Sequence, residues 1–350
     1  MRSNPSQLLR LSGAAALALA LPGVARAGSS SAGEEFLSTT ESVEPNIIFV
    51  VDMDQSMLDP CPDPGRSGAY TDACIDDVVD AIDLVTQHFD WARFGVVGTS
   101  PDASYTYDCP DGSGSTVSSV YSDDFFPIAP LGSSHAEISD RLSDVHGYVT
   151  DFAIDTSNLA EAIEDVVVTY LGETTAQDLS DGDCDGIDYD FAETGIEYYC
   201  QNTHVIVLTN QRPEADDDIT STYSGTGSMS TDVTCDLAGR TTATSSTNEE
   251  CYYDNVVHNL YNSDVRGDLS GTQNVTVHTI GLGIDSSSVA EELYGNASDS
   301  IGGAGIYSSA SEPDGILTGI LLAMQDIRSG TFSRSTPVVS AEGDYLVYTS

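Results

Sequence analysis

Lysine is missing from this sequence, and its 11 basic residues, all arginines, stand against 56 aspartates and glutamates. The formal net charge is −45 at pH 7. So acidic a surface repels the phosphate backbone of nucleic acids and the headgroups of anionic membranes, and it attracts cations. The composition therefore excludes nucleic acid as a partner. Most of the acids are expected to serve solubility, and a minority to bind a cation.

Apolar runs long enough to span a bilayer are also missing beyond the N-terminal region. Residues 1–27 combine a basic start with Arg2 and Arg10, a short apolar stretch and the small-x-small end Ala25-Arg26-Ala27. This pattern predicts a secretory signal peptide, because a membrane anchor would need a longer apolar run. The protein is therefore expected in the periplasm or on the outer surface, with no membrane insertion after cleavage. Residues 28–44, rich in Ser, Thr, Gly and Glu, predict a flexible leader.

Familiar catalytic motifs are a third absence. The sequence has no Gly-x-Ser-x-Gly elbow, no His-Glu-x-x-His, no phosphate-binding loop and no Gly-x-Gly-x-x-Gly after a strand. Its six histidines are scattered along the chain. We therefore expect a binding protein rather than an enzyme. A secreted hydrolase with an unrecognised site stays open as an alternative.

Seven cysteines are present, and none forms a Cys-x-x-Cys pair typical of zinc sites. In an exported protein, disulfides are the expected use of cysteine. Sequence alone does not determine which cysteines pair. Proximity along the chain suggests three local pairs and leaves Cys109 over: Cys61–Cys74, Cys184–Cys200 and Cys235–Cys251.

Strand and helix patterns alternate between residues 45 and 330. Continuous apolar strands are predicted at 46–51, 203–209 and 275–281, and helices at 75–89, 135–148, 157–170, 252–262 and 313–328. This alternation predicts an α/β fold with a doubly wound, mostly parallel sheet. Two polar insertions, 172–199 and 214–250, are expected to form long loops closed by disulfides. Residues 331–350 predict the start of a β-rich segment.

The first predicted strand leads directly into three side chains that carry oxygen. Asp52, Asp54 and Ser56 alternate immediately after the apolar run 46–51. Ligands of open α/β sheets bind at the carboxyl ends of the strands, where this segment lies. Carboxylate and hydroxyl oxygens suit a hard divalent cation such as Mg²⁺ or Ca²⁺.

This segment resembles the metal-ion-dependent adhesion site of von Willebrand factor A domains, which reads Asp-x-Ser-x-Ser, with Asp54 replacing the middle serine. The resemblance implies that a second loop supplies a hydroxyl, which is that of Ser157 in this chain. It implies that a third loop supplies a carboxylate, but the residue at that position of this chain is Asn210. The first loop gains an acid and the third loses one, so the attraction to a divalent cation is roughly kept. The alternative is an intact fold whose site no longer binds metal.

A second acidic loop follows the pattern of a calcium site. Its core, Asp-x-Asp-x-Asp-Gly, matches the first half of a calcium-binding loop, but the glutamate expected at position twelve is missing. The loop is either a shorter calcium site or a solvated acidic turn. Its candidate ligands are Asp181, Asp183, Asp185, Asp188 and Asp190.

Ordered blocks of sequence also resemble the PilY family of type IV pilus-associated proteins. These blocks are residues 199–209, 255–266, 273–283, 323–333 and 336–340. The resemblance implies a von Willebrand A-type domain, with residues 331–350 at the point where that family's β-propeller begins, without the propeller itself. It implies an exported adhesion or pilus-biogenesis module that binds a protein or surface ligand, such as a pilus component, through the cation. The alternative is a secreted von Willebrand A binding protein unrelated to pili.

Overall fold

The computed structural model describes most of the region after residue 42. The described residues are 43–61, 73–99, 105–110, 116–121, 125–152, 157–171, 178–179, 189–190, 195–213, 249–284, 289–298, 304–310, 313–333, 338–342 and 345–349. The predicted signal peptide, 1–27, and the leader up to residue 42 lie outside them. So do Asp181, Asp183, Asp185 and Asp188 of the acidic loop, while Asp190 belongs to a two-residue strand. The second calcium site therefore stays a prediction.

A six-stranded sheet forms the centre of the fold, in the order β10-β9-β8-β1-β2-β5. Its strands are β1 (Asn46–Val51), β2 (Arg93–Thr99), β5 (Phe125–Ala129), β8 (Thr203–Thr209), β9 (Val275–Leu282) and β10 (Tyr307–Ala310). Every neighbouring pair is parallel except β2 with β5, which is antiparallel. The predicted doubly wound, mostly parallel sheet is confirmed.

Both faces of this sheet are covered, as the apolar strand sequences require. Along β1, Ile47, Phe49 and Val51 contribute to one buried cluster, and the alternate residues Ile48 and Val50 contribute to another. The first cluster includes side chains of helices α1 (Cys74–His88), α2 (His135–Leu142), α3 (Val145–Phe152) and α7 (Pro313–Ser333). The second includes side chains of α4 (Leu159–Asp165), α5 (Glu249–Asn262) and α6 (Val289–Ala297). Neither layer holds a helix, among those described, with the length and apolar content needed to cross a bilayer.

The remaining strands form three separate two-stranded antiparallel sheets. They pair β3 (Tyr105–Pro110) with β4 (Thr116–Tyr121), β6 (Asp178–Leu179) with β7 (Tyr189–Asp190), and β11 (Val338–Glu342) with β12 (Tyr345–Thr349). Residues 331–350 were predicted to begin a β-rich segment, and β11 and β12 lie within them.

Several element boundaries differ from the sequence prediction. The helix expected over 135–148 is two helices, because Ser143 and Asp144 form a turn between α2 and α3. The helix expected over 157–170 ends at Asp165 and continues as a π-helical segment, Val166–Leu171. Strand β5 was not predicted. Its Pro127 has no N–H to donate, which fits its place at the edge of the sheet.

One disulfide is present among the described residues, and it joins Cys61 to Cys74 as predicted. It links the segment after the first site loop to the first residue of α1. Cys200 was expected to pair with Cys184, but its thiol is free and exposed, and Cys184 lies outside the described residues. The pairing of Cys235 with Cys251 stays a prediction, because Cys235 lies outside them as well.

Replacing both Cys61 and Cys74 with alanine is expected to lower the free energy of unfolding by about 3 kcal/mol, because a crosslink over a loop of this length restricts the unfolded chain. The two cysteines are 13 residues apart. Urea denaturation of the wild type with and without reductant, beside the double variant, measures this contribution. Equal stability of the oxidised wild type and the double variant would contradict it.

Candidate metal centre

The register of two parallel strands determines where the site forms. Val51, the last residue of β1, is paired with Leu208 of β8, and the N–H of Asp52 donates to the Leu208 carbonyl at 3.0 Å. Asp52 and Thr209 therefore leave the carboxyl edge of the sheet side by side. This edge is the ligand-binding side of an open α/β sheet.

Asp52 is completely buried and receives three hydrogen bonds. Its Oδ2 accepts from the hydroxyls of Ser157, at 2.9 Å, and Thr209, at 2.6 Å. Its Oδ1 accepts from the backbone N–H of Asp54 at 3.1 Å. Burial is the main cause that raises the pKa of Asp52 to about 6. The nearby charge of Asp54 also contributes to the rise, and the hydrogen bonds from Thr209, Ser157 and the Asp54 N–H oppose it.

Met53, between the two acids, anchors the loop to the sheet. Its side chain is buried in the core, and its N–H donates to the Thr99 hydroxyl at the end of β2, at 2.9 Å. A Cβ on the neighbouring Gly98 would lie 2.6 Å from Met53 Cγ, so only glycine leaves room for this side chain. With Met53 turned into the core, the acids on either side of it can face the site.

Asp54, Ser56 and Asn210 form the outer half of the site. The hydrogen bond from the Asp54 N–H to Asp52 joins them to the inner half, which is Asp52 with Ser157 and Thr209. Asp54 Oδ1 accepts from the N–H of Ser56 at 2.7 Å. The Ser56 hydroxyl donates to Asn210 Oδ1 at 3.0 Å. All five residues predicted from the sequence therefore belong to one hydrogen-bonded network, drawn from three distant segments of the chain.

Two members of this network were not predicted as site residues. Thr209 donates to Asp52, and the amide of Gln211 donates to Ser56 Oγ at 2.9 Å and to Asp54 Oδ1 at 3.4 Å. Both are next to Asn210 in the sequence, at the end of β8. This position was the signal that could have identified them as site residues. Their roles depend on side-chain directions that the sequence does not specify.

The chemistry of the donor set suits a hard divalent cation. Two carboxylates, hydroxyls and amide oxygens line the site, and Asp54 Oδ2 is buried without a hydrogen-bond partner. In the described part of the chain, every hydrogen-bond partner of Asp52 and Asp54 is uncharged. No group of three or more His, Cys, Asp or Glu side chains is gathered for a metal there, so a cation would depend on hydroxyl and amide ligands besides the two acids. Metal binding by the five residues stays a prediction.

The chain matches no protein-family model, and no curated protein sequence matches it significantly. Its fold is similar to that of the PilB minor pilin from Streptococcus sanguinis, with a TM-score of 0.51 and 13% identity over 85% of this chain. The match covers 64% of that pilin, so the chain spans less than two thirds of its length. The vWF domain of the type V pili tip protein Mfa5 from Porphyromonas gingivalis aligns over 87% of this chain and 99% of that one, at 11% identity and a TM-score of 0.42. Identities this low speak to the fold and not to function.

The buried acid predicts a specific dependence of stability on pH. The folded-state pKa of Asp52, about 6, lies above the ordinary aspartate value of 3.8 that applies in the unfolded chain. The contribution is therefore fully present below 3.8 and is lost as pH rises through about 6, a change of about 3 kcal/mol. In EDTA, we expect urea denaturation to show stability falling more steeply between roughly pH 4 and pH 7 in the wild type than in Asp52→Asn. Other carboxylates titrate in both proteins and affect both in the same way. Parallel curves of stability against pH would therefore contradict the raised pKa of Asp52.

Proposed function

We propose that the chain is an exported, cation-dependent adhesion module of the von Willebrand A type, associated with type IV pili. In this proposal Asp52, Asp54, Ser56, Ser157 and Asn210 hold a Mg²⁺ or Ca²⁺ ion, directly or through water. The ion keeps an open coordination position for a carboxylate on a protein or surface ligand. The role is binding and assigns no catalytic residue.

One observation carries the cation part of this proposal: two buried aspartates lie in one network, and none of the described residues gives either of them a positively charged partner. Asp52 is completely buried and Asp54 is only 2% exposed. Holding two carboxylates this close out of water is unfavourable unless a cation or strong donors offset their charge. Within the described part of the chain, no group donates to Oδ2 of Asp54, which supports a further ligand at this position.

The pilus part of the proposal rests on a sequence resemblance and on the fold. The sequence blocks that resemble the PilY family and the fold shared with a minor pilin point to the same class of surface assembly. The strong negative charge also fits a partner reached through a bound cation, because a direct contact with an acidic ligand would be repulsive. PilY membership itself is part of the proposal.

Isothermal titration calorimetry of the mature chain tests the cation site. We expect the wild type to bind Mg²⁺ or Ca²⁺, and Asp54→Asn to bind at least tenfold more weakly, because it removes a charge and keeps the side-chain shape. Asp52→Ala combined with Asp54→Ala should abolish binding. Asp59→Asn is the matched control, since Asp59 is an exposed acid in the same segment.

If the wild type releases no heat with either ion and its melting temperature is the same in EDTA, the site is a structural remnant. If Asp59→Asn weakens binding as much as Asp54→Asn does, general surface charge explains the affinity. Either result would remove the cation from the proposed function.

A sedimentation assay with pili sheared from the producing organism tests the adhesion role. We expect the mature chain to sediment with the pili in Mg²⁺ or Ca²⁺ and to stay in the supernatant in EDTA, because the cation bridges two acidic partners. The Asp54→Asn variant should behave in either ion as the wild type does in EDTA. Cation-dependent binding to other surface proteins, with none to pili, would favour a secreted adhesion protein unrelated to pili.

A further inference from the structure

The amide group of Gln211 lies against two oxygens in the outer half of the site. Its Nε2 is 2.9 Å from Ser56 Oγ and 3.4 Å from Asp54 Oδ1. Both oxygens accept from the amide through lone pairs that a bound cation would also use. The amide and the cation would therefore compete for these oxygens.

The orientation of this amide follows from its neighbours. The Ser56 hydroxyl gives its only proton to Asn210 Oδ1, so the Ser56 oxygen can only accept from Gln211. Asp54 Oδ1 also accepts, both from Gln211 and from the N–H of Ser56. Facing two acceptors, Gln211 must present its NH₂ group and not its carbonyl oxygen.

The backbone of Gln211 is held firmly enough to keep the side chain in this position. Its N–H donates to the Thr209 hydroxyl at 3.1 Å, the same hydroxyl that donates to Asp52. Its carbonyl accepts from the hydroxyl of Tyr294 at 2.8 Å. Tyr294 is completely buried and packs against the rings of Tyr253 and Tyr307. The side chain of Gln211 is only half-buried, so it can leave the site while its backbone stays in place.

We propose that Gln211 is a built-in competitor of the cation: its amide occupies the outer ligands until an ion displaces it. This regulation rests on the proposed cation site. The amide offers a partial positive charge to Asp54 and Ser56, and it stabilises them when no ion is bound. Ion binding must break its hydrogen bonds, so the affinity of the site is set below what its oxygens alone would give. The side chain of Gln211 would then leave the site when the ion binds, while its backbone keeps the hydrogen bonds to Thr209 and Tyr294.

The experiment compares Gln211→Ala with the wild type and with Gln87→Ala, an exposed glutamine on α1 that serves as the matched control. Calorimetry measures the affinity for Mg²⁺ and for Ca²⁺, and thermal unfolding in EDTA measures the stability without either ion. We expect Gln211→Ala to bind the ion roughly tenfold more tightly, equivalent to about 1.4 kcal/mol, because no hydrogen bond must be broken first. Its melting temperature in EDTA should fall, while Gln87→Ala changes neither quantity. Gln211→Ser, which is also too short to reach, gives a second reading if the alanine variant unfolds.

The outcomes separate the competitor from the cation site itself. Binding by the wild type that is unchanged in Gln211→Ala overturns the competitor role and leaves the proposed function standing. Weaker binding in the variant also overturns it, since Gln211 would then ligate the ion through its carbonyl oxygen. Binding that appears only in the variant supports the competitor. Absence of binding in both proteins, with no effect of EDTA on stability, removes the proposed cation site and the competitor with it.

Discussion

Asp52 is the hydrogen-bond acceptor that joins three segments of the chain at the carboxyl edge of the sheet. The pairing of β1 with β8 brings its backbone beside Leu208, and the hydroxyls of Thr209 and Ser157 converge on one of its oxygens. Ser157 and Thr209 lie 105 and 157 positions after Asp52 in the sequence. Without the carboxylate, the loops after β1 and β8 and the start of α4 would lose their common hydrogen-bond acceptor. The buried carboxylate of Asp52 therefore holds these three segments together at the edge of the sheet.

A buried acid of this kind has an electrostatic cost, visible in the raised pKa of Asp52. Uncharged donors offset part of that cost, and the second acid, Asp54, adds to it. Such a site is stable when a cation balances the two charges and less stable when only hydroxyl and amide groups do. The amide of Gln211 brings a partial positive charge to Asp54 beside that of the Ser56 N–H, and in the proposed exchange a metal ion would take the place of this amide.

The scaffold and the site carry different information about function. A fold shared at 13% identity with a minor pilin shows how the chain is arranged, whereas the ligand depends on a few side chains on loops. In this chain the loops differ from the von Willebrand A motif that they resemble at Asp54, where a serine is usual, and at Asn210, where a carboxylate is usual. These differences move charge from the third loop to the first.

Much of the architecture followed from local sequence. The continuous apolar runs 46–51 and 203–209 predicted a sheet covered on both faces, because a strand buried on both sides does not alternate polar and apolar residues. Short spacing was enough to anticipate Cys61–Cys74, whereas Cys200 has a free thiol, since spacing does not report which way a side chain points. Strand β5 was missed although its residues, Phe125–Ala129, are all apolar and buried, because a proline within a short run counts against a strand. Asp52, Asp54 and Ser56 were named from the motif after the first strand, and Ser157 and Asn210 from the resemblance to von Willebrand A domains. That they share one network with Thr209 and Gln211 depended on strand register and side-chain direction, which arise only when distant segments pack together.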